Sequence, residues 1–328
     1  MLKLGIIGTS AITHNFVTAA HESQGYQLSA VFSRSLDKAE AFAKSYGNLS
    51  LFTDWADFLA SDLDVIYIAS PNSLHFHQAK AVLEAGKHAI VEKPMVSTPA
   101  ELHILKDTAA KHQVLVFEAA RNHHEPAFQQ IRNFLTDKTI LGAYFGYAKY
   151  SSKMPELLAG QTPNVFSADF SGGALMDLGI YPVYAAVTLF GKPQTATYKA
   201  SQLPSSVDLR GSGQLFYDGF YVTIEAGKNM TSYFPSEIYT DQGTLTLNAC
   251  QHIQSAVFCS NDGQVTELAI DFEVDTMLTE AQHFAQAIER KDLELATDWL
   301  IAAQAVHDTL YTMRQDAQIQ FKADLDVN

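Results

Sequence analysis

Over the first 120 residues of this 328-residue chain, short runs of almost unbroken apolar sequence alternate with segments whose apolar residues recur every three or four positions. The runs 2–7, 27–32, 65–69, 88–91 and 115–118 read as strands, and the segments 11–20, 36–46, 55–60, 76–85 and 99–112 between them read as helices. A strand without a polar face has to be covered on both sides. Helices returning between such strands supply the cover, so the pattern is that of βαβ units on a parallel sheet. It predicts a doubly wound α/β domain whose ligands lie along the carboxyl ends of its strands.

Past about residue 120 the alternation stops. Runs at 143–149, 195–201, 209–217, 220–226, 236–240, 243–247, 256–260 and 265–270 follow one another, separated by turns such as Tyr217-Asp218-Gly219 and Asp241-Gln242-Gly243. Consecutive strands of this kind predict a large open, mostly antiparallel sheet. A helix is expected at 173–190, and two more, 277–290 and 295–316, close the chain, the last packing back on the first domain. Because single cores stop growing at roughly 250–300 residues, the expectation is two α/β domains, 1–120 and 121–328.

Composition removes several function classes. The 47% hydrophobic and 18% charged content is that of a globular protein without an 18-residue apolar run, which predicts no membrane role. A net charge of −14 without clustered Lys and Arg argues against nucleic acid. The N-terminus runs from one cation into a strand without a small-residue cleavage site, which reads as unprocessed and cytoplasmic. In that compartment Cys250 and Cys259 are expected as thiols.

Chemistry is then sought at the strand ends. Five consecutive ends carry polar or special residues: Gly8-Thr9-Ser10, Ser33-Arg34-Ser35, Ser70-Pro71-Asn72, Glu92-Lys93-Pro94, and Glu118 with Arg121. The first departs from the dinucleotide fingerprint G-x-G-x-x-G/A, keeping Gly8 and placing Ser10 and Thr13 at the other two positions. Ser10 can still donate to a pyrophosphate, and the helix opening at Ala11-Ile12 would supply N–H groups and partial positive charge. At the second end no acidic residue occurs before Asp37. A guanidinium at Arg34 flanked by the hydroxyls of Ser33 and Ser35 favours a 2′-phosphate, hence NADP with NAD as the alternative. Lys93 stands at a parallel strand's carboxyl end, where a nicotinamide ring would be delivered.

Together with Ser70-Pro71-Asn72-Ser73-Leu74-His75, Ala85-Gly86-Lys87-His88, Glu118-Ala119 and the run from Gly172 to Tyr181, GGALMDLGIY, these motifs give the whole chain a resemblance to the Gfo/Idh/MocA oxidoreductases. The resemblance implies a Rossmann domain followed by an α/β domain whose open sheet mediates homodimer or homotetramer contacts. It implies that Lys93 touches a substrate oxygen and the nicotinamide region, suiting an ammonium that polarises a carbonyl or stabilises an alkoxide. It also implies that Asn72, His75 and Glu118 surround the nicotinamide ribose and carboxamide as binding groups, with Glu92 also among the cofactor-binding residues.

In the second domain Asp177 and Tyr181 are four apart on a predicted helix and share one face, so carboxylate and phenol can converge on one substrate. Many relatives carry histidine in place of Tyr181. The tyrosine form resembles glucose-fructose oxidoreductase and dihydrodiol dehydrogenase, and points away from the inositol dehydrogenases. The expected activity is hydride transfer between a nicotinamide and a secondary alcohol or carbonyl of a sugar, polyol or cyclic diol, with Tyr181 moving the proton and Asp177 orienting hydroxyls. Three other readings stay open: a noncatalytic dinucleotide- and sugar-binding sensor, a cofactor-retaining glycoside hydrolase on the same fold, and a purely structural interaction protein. His77 reads as a helix-surface residue. The segment 121–125 departs from the family pattern and is expected to shape substrate choice. Adjacent His123 and His124 point opposite ways on an extended segment, so no metal site is expected.

Overall fold

The computed structural model describes residues 1–325; the last three residues of the expected second domain, 326–328, lie outside it. The chain divides into two compact units, Met1–Arg121 with Asp275–Ile301, and Asn122–Val274 with the residues from Ala302 on.

In the first unit six strands form a parallel sheet: β1 (Leu2–Ile7), β2 (Tyr26–Phe32), β3 (Ser50–Phe52), β4 (Val65–Ile68), β5 (His88–Glu92) and β6 (Val116–Ala119). Their order is β3-β2-β1-β4-β5-β6, the Rossmann arrangement, whose topological switch lies between β1 and β4. Every residue of β4 and β6 is buried, as unbroken apolar strands require. Helices α1 (Ala11–Glu22), α2 (Leu36–Ala43), α3 (Trp55–Ala60), α4 (Asn72–Glu84) and α5 (Pro99–His112) make the crossovers. Helix α5 starts where its sequence dictates: Thr98 and Glu101 form a reciprocal capping box and Pro99 takes the first turn. Strand β3, too short to show a period, is absent from the sequence reading. The core gathers Leu4, Ile6, Phe16, Tyr67, Ile90 and Phe117, joined by Phe284 and Ile288 of a later helix. Phe16 lies flat on Tyr67, ring centroids 3.9 Å apart.

The second unit is built on an eight-stranded sheet of β7 (Ile140–Ala148), β8 (Thr195–Gln202), β9 (Asp208–Phe216), β10 (Tyr221–Gly227), β11 (Ser236–Thr240), β12 (Gly243–Leu247), β13 (Ala256–Ser260) and β14 (Val265–Leu268). The order is β14-β13-β12-β11-β7-β10-β9-β8. The central pair β7 and β10 is parallel and its neighbours are antiparallel. Helix α6 (Pro126–Leu135) carries Ala127, Phe128, Ile131 and Leu135 on one buried face. It and the short α7 (Met154–Leu158) were not expected from the sequence.

The helix expected over 173–190 differs in kind. Residues Leu175–Gly179 form a π-helical turn, and only Ile180–Phe190, α8, is α-helical. Both forms bury apolar residues, so apolar spacing does not distinguish them. The stretch Ala168–Phe190 is apolar and long enough to cross a membrane by composition, and most of it is buried inside the protein.

Helix α9 (Leu278–Arg290) and the opening residues of α10 (Leu293–Asp316) count with the first unit, where Tyr26 donates to the Ala281 carbonyl at 2.9 Å and Phe117 stacks on Phe284.

Candidate active site

At the switch point of the parallel sheet a cleft of about 930 Å³ collects Gly8, Thr9, Ser10, Ser33, Arg34, Ser70 and Pro71. The cause is local. Gly8 leaves β1 at φ +102°, and a Cβ there would lie 2.5 Å from the Ala69 carbonyl oxygen, so only glycine lets the two strand ends approach this closely. Ser10 then begins α1 in extended conformation without using its hydroxyl as a cap. The first hydrogen-bonded N–H groups of α1 are those of Thr13 and His14, both donating to Ser10 O. The N–H groups of Ala11 and Ile12 precede them, at the positively polarised end of the helix.

Arg34 is exposed at the cleft edge, and among the described residues its guanidinium has no hydrogen-bond or ion-pair partner. Lys38, one turn further on, lines the same cleft. The sequence reading missed it, although its four-residue spacing from Arg34 was visible. A glycine that a Cβ would overfill, a free hydroxyl, a helix N-terminus and two cations fit a dinucleotide diphosphate with a charged ribose.

A second cluster forms around the end of β5. Lys93 is half-buried, and the peptide joining it to Pro94 is cis. Three buried contacts clamp this turn. Tyr67 donates to Glu92 at 2.5 Å, the Met95 N–H donates to Glu118 at 2.8 Å, and His75 Nδ1 lies 2.9 Å from the Pro94 carbonyl. His75 Nε2 lies 2.7 Å from the Ser70 carbonyl, so this ring ties the β4 and β5 ends together. Burial pushes the His75 imidazole below its ordinary pKa, against the pull of the two carbonyls and Glu118. A neutral ring carries one N–H and donates to one of the two carbonyls at a time. Burial also raises the Glu92 carboxyl, opposed by the Tyr67 hydroxyl and the Lys93 and Arg121 charges.

In the second unit the turn carrying Asp177 and Tyr181 rests on a buried acid. Asp208 Oδ2 accepts from the Leu175 N–H and the Tyr198 hydroxyl, both at 2.7 Å. Gly172 and Gly173 serve this packing. A Cβ on Gly172 would meet the Val165 carbonyl at 2.6 Å, and one on Gly173, at φ +111°, would meet Asp208 Oδ1 at 2.2 Å. Burial holds the Asp208 carboxyl above its usual range.

Asp177 is ion-paired with Lys228, a residue the sequence reading did not single out because 51 positions separate the two. Tyr181 is buried, its ring edge-on to Tyr147 at 5.5 Å. Asn122 donates to the Tyr181 carbonyl at 3.1 Å, His123 Nδ1 lies 2.7 Å from the Thr188 hydroxyl, and Glu125 accepts from the Ile253 N–H at 3.0 Å. Arg121–His124 of the divergent segment is thus a 3-10 turn and not the extended stretch expected; Asn122 and His123 brace α8, and Glu125 ties the segment to the loop between β12 and β13.

The expected residues thus fall into three groups: the cleft, the clamp of Glu92, Lys93, His75 and Glu118, and the turn of Asp177 with Tyr181. Ala11, Ile12 and Asn72 begin the helices that border the cleft. His77 is exposed on α4.

Sequence models of an oxidoreductase family with an NAD-binding Rossmann fold and of the GFO/IDH/MocA C-terminal domain match residues 2–120 and 128–246. An uncharacterized oxidoreductase of Escherichia coli is 36% identical over 326 residues, covering 99% of both chains. The NADP-dependent scyllo-inositol 2-dehydrogenase IolU of Bacillus subtilis is 32% identical over 326 residues with the same coverage. Overall similarity thus gives no support for setting inositol dehydrogenases apart on the strength of Tyr181. The crystal structure of a 3-ketoreductase from Actinomadura kijaniata in complex with NADP and TDP-benzene shares the fold, with a TM-score of 0.83 over 95% of this chain and 98% of that one at 22% identity.

Proposed function

We propose, given that the chain belongs to the GFO/IDH/MocA oxidoreductases, that it is an NADP(H)-preferring enzyme moving hydride between the nicotinamide and a secondary alcohol or carbonyl of a sugar, polyol or cyclic diol. The observation that carries this reading is the clamped Lys93 turn at a strand end of a Rossmann sheet. A general cation would not need three buried bonds to fix its backbone. A group that must meet a developing alkoxide does, because preorganised charge stabilises a transition state without reorganisation at the moment of reaction.

When bound, the cofactor supplies or accepts the hydride. Gly8, Thr9, Ser10 and the Ala11 and Ile12 N–H groups hold its diphosphate, and Arg34 with Ser33 takes the 2′-phosphate. Ser70, Pro71 and Asn72 lie toward the nicotinamide ribose, and His75 and Glu118 act there through the backbone they brace. Lys93 polarises the substrate oxygen. Tyr181 passes the proton to or from that oxygen, and Asp177 accepts from neighbouring hydroxyls. Inositols and other polyols fit this scheme, as does the B. subtilis relative's name.

The test is the initial rate of nicotinamide absorbance change with NADPH or NADP⁺ and their non-phosphorylated counterparts. It runs across aldoses, inositols, dihydrodiols and keto sugars, for the unmodified protein and Lys93→Met. A rate on one substrate class that collapses in the variant supports the proposal. Tight cofactor binding without turnover favours the sensor, and release of a free sugar without net cofactor change favours the hydrolase.

A further inference from the structure

Within the Asp177–Lys228 pair the two side chains are unequally placed: 32% of the carboxylate side chain is exposed but only 5% of the lysine. The carboxylate can face a ligand, and the ammonium lies behind it. Resting on the role proposed above for Asp177, we infer that Lys228 is a positioning residue that keeps Asp177 ionised and fixes one of its oxygens, so that Asp177 meets substrate hydroxyls as a pure acceptor.

Lys228 is well anchored for this. It follows β10 directly, its N–H donates to the Leu209 carbonyl at 2.9 Å, and its own carbonyl accepts from the Ser151 N–H at 2.8 Å. Its ammonium stands 5.9 Å from the centroid of the buried Phe166 ring, so ring and carboxylate together replace lost hydration. Among the described residues Asp177 is the hydrogen-bond partner of that ammonium. The first residue of the π-helical turn is tied down by Asp208 through the Leu175 N–H. Asp177 therefore sits on a backbone held from below and a side chain held from behind.

Other titratable and charged side chains lie on the elements packed against the turn. On β9, Asp208 is bonded to Tyr198, and on β10, Glu225 accepts from Tyr144 at 2.6 Å. Arg210 sits on β9 at the register position opposite Gly227, the residue before Lys228. Tyr147 on β7 and Tyr181 on α8 pack against each other edge to face. A cation bonded directly to a carboxylate favours its ionised form more than any of these.

The test is carbon NMR of the full chain with carboxyl-labelled aspartate, the Asp177 signal being assigned by its loss in Asp177→Asn, combined with steady-state kinetics. In the unmodified protein the Asp177 signal stays that of a carboxylate down to about pH 4.5, since an ordinary aspartate titrates near 3.9 and this one is paired. In Lys228→Met its midpoint rises by roughly one unit or more, and Lys228→Arg restores the original behaviour. KM for the accepted substrate rises about tenfold in Lys228→Met, while NADPH affinity does not move.

The inference is overturned if Asp177 already protonates above pH 4.5 in the unmodified protein, or if Lys228→Met leaves the signal unchanged. Should Lys228→Met fail to fold, Lys228→Gln takes its place, the same upward movement of the Asp177 midpoint being expected and an unmoved midpoint overturning the inference. A shifted titration in a protein without turnover on any substrate refutes the proposed function and leaves Lys228 as the group that holds Asp177 ionised.

Discussion

Gly8→Ala is the sharpest test of how the cofactor cleft is built. The native backbone has φ +102°, and the new methyl would sit 2.5 Å from the Ala69 carbonyl oxygen, a backbone atom on a neighbouring strand end that cannot swing aside. Two costs apply. A side chain at positive φ costs about 1–2 kcal/mol, and forcing β1 and β4 apart at their ends adds about 1–3 kcal/mol, the usual range for overpacking. Gly47→Ala separates them, because Gly47 has φ +93° with nothing within 4 Å of an added Cβ. It carries the conformational cost alone. The assay is urea unfolding followed by tryptophan fluorescence, which reports the first unit selectively because both tryptophans, Trp55 and Trp299, belong to it. Gly8→Ala is expected to lose about 1–3 kcal/mol more than Gly47→Ala and to bind NADPH more weakly. If the two variants agree within about 0.5 kcal/mol, the close approach of the strand ends is not what demands glycine.

Arg34→Ala should weaken NADPH binding roughly 10- to 100-fold, the worth of one or two hydrogen bonds to a charged phosphate, and leave NADH unchanged in a fluorescence titration. Equal losses for both cofactors would remove the 2′-phosphate role. Glu280 on α9 is fully buried with neither carboxyl oxygen hydrogen-bonded among the described residues. Burial lifts its pKa well above the carboxylate range, helped by Glu92 and Asp275 and opposed by Arg121. The folded state therefore keeps a proton that the unfolded chain releases near pH 4.3, so this group's stability is full below that pH and declines as pH rises toward the folded value. Glu280→Gln should gain on the unmodified protein by up to about 1.4 kcal/mol per pH unit across that window. A difference between the two that does not vary with pH in urea unfolding would contradict it.

The candidate residues at strand ends were legible in the sequence, and the groups that hold them in place were not, for a physical reason. Residues at strand ends are located by the strands themselves, and unbroken apolar runs such as Val65–Ile68 and His88–Glu92 announce where those strands stop. Gly8, Arg34 and Lys93 could be picked out this way, and Asp177 by its four-residue spacing from Tyr181. Their supports come from anywhere in the chain that folding brings near. Lys228 reaches Asp177 across 51 positions, and Asp208 reaches the Leu175 N–H across 33. Neither pairing leaves a local period.

His75 and Glu118 show the same division from the other side. Their motifs marked them as part of the site, but the bond each makes within the fold determines how it can act. His75 spans the Ser70 and Pro94 carbonyls, and Glu118 accepts from Met95, so both fix the backbone on either side of Lys93. The π-helical turn at Leu175–Gly179 was hidden because α and π forms bury similar faces; just before it, the buried carboxylate of Asp208 lies so close to Gly173 that any side chain there would collide with it. A lysine clamped by three distant residues and an aspartate backed by a buried ammonium solve one problem by the same means. On the proposed function, a charge that must stay aimed at a substrate is fixed through bonds to groups the substrate never touches.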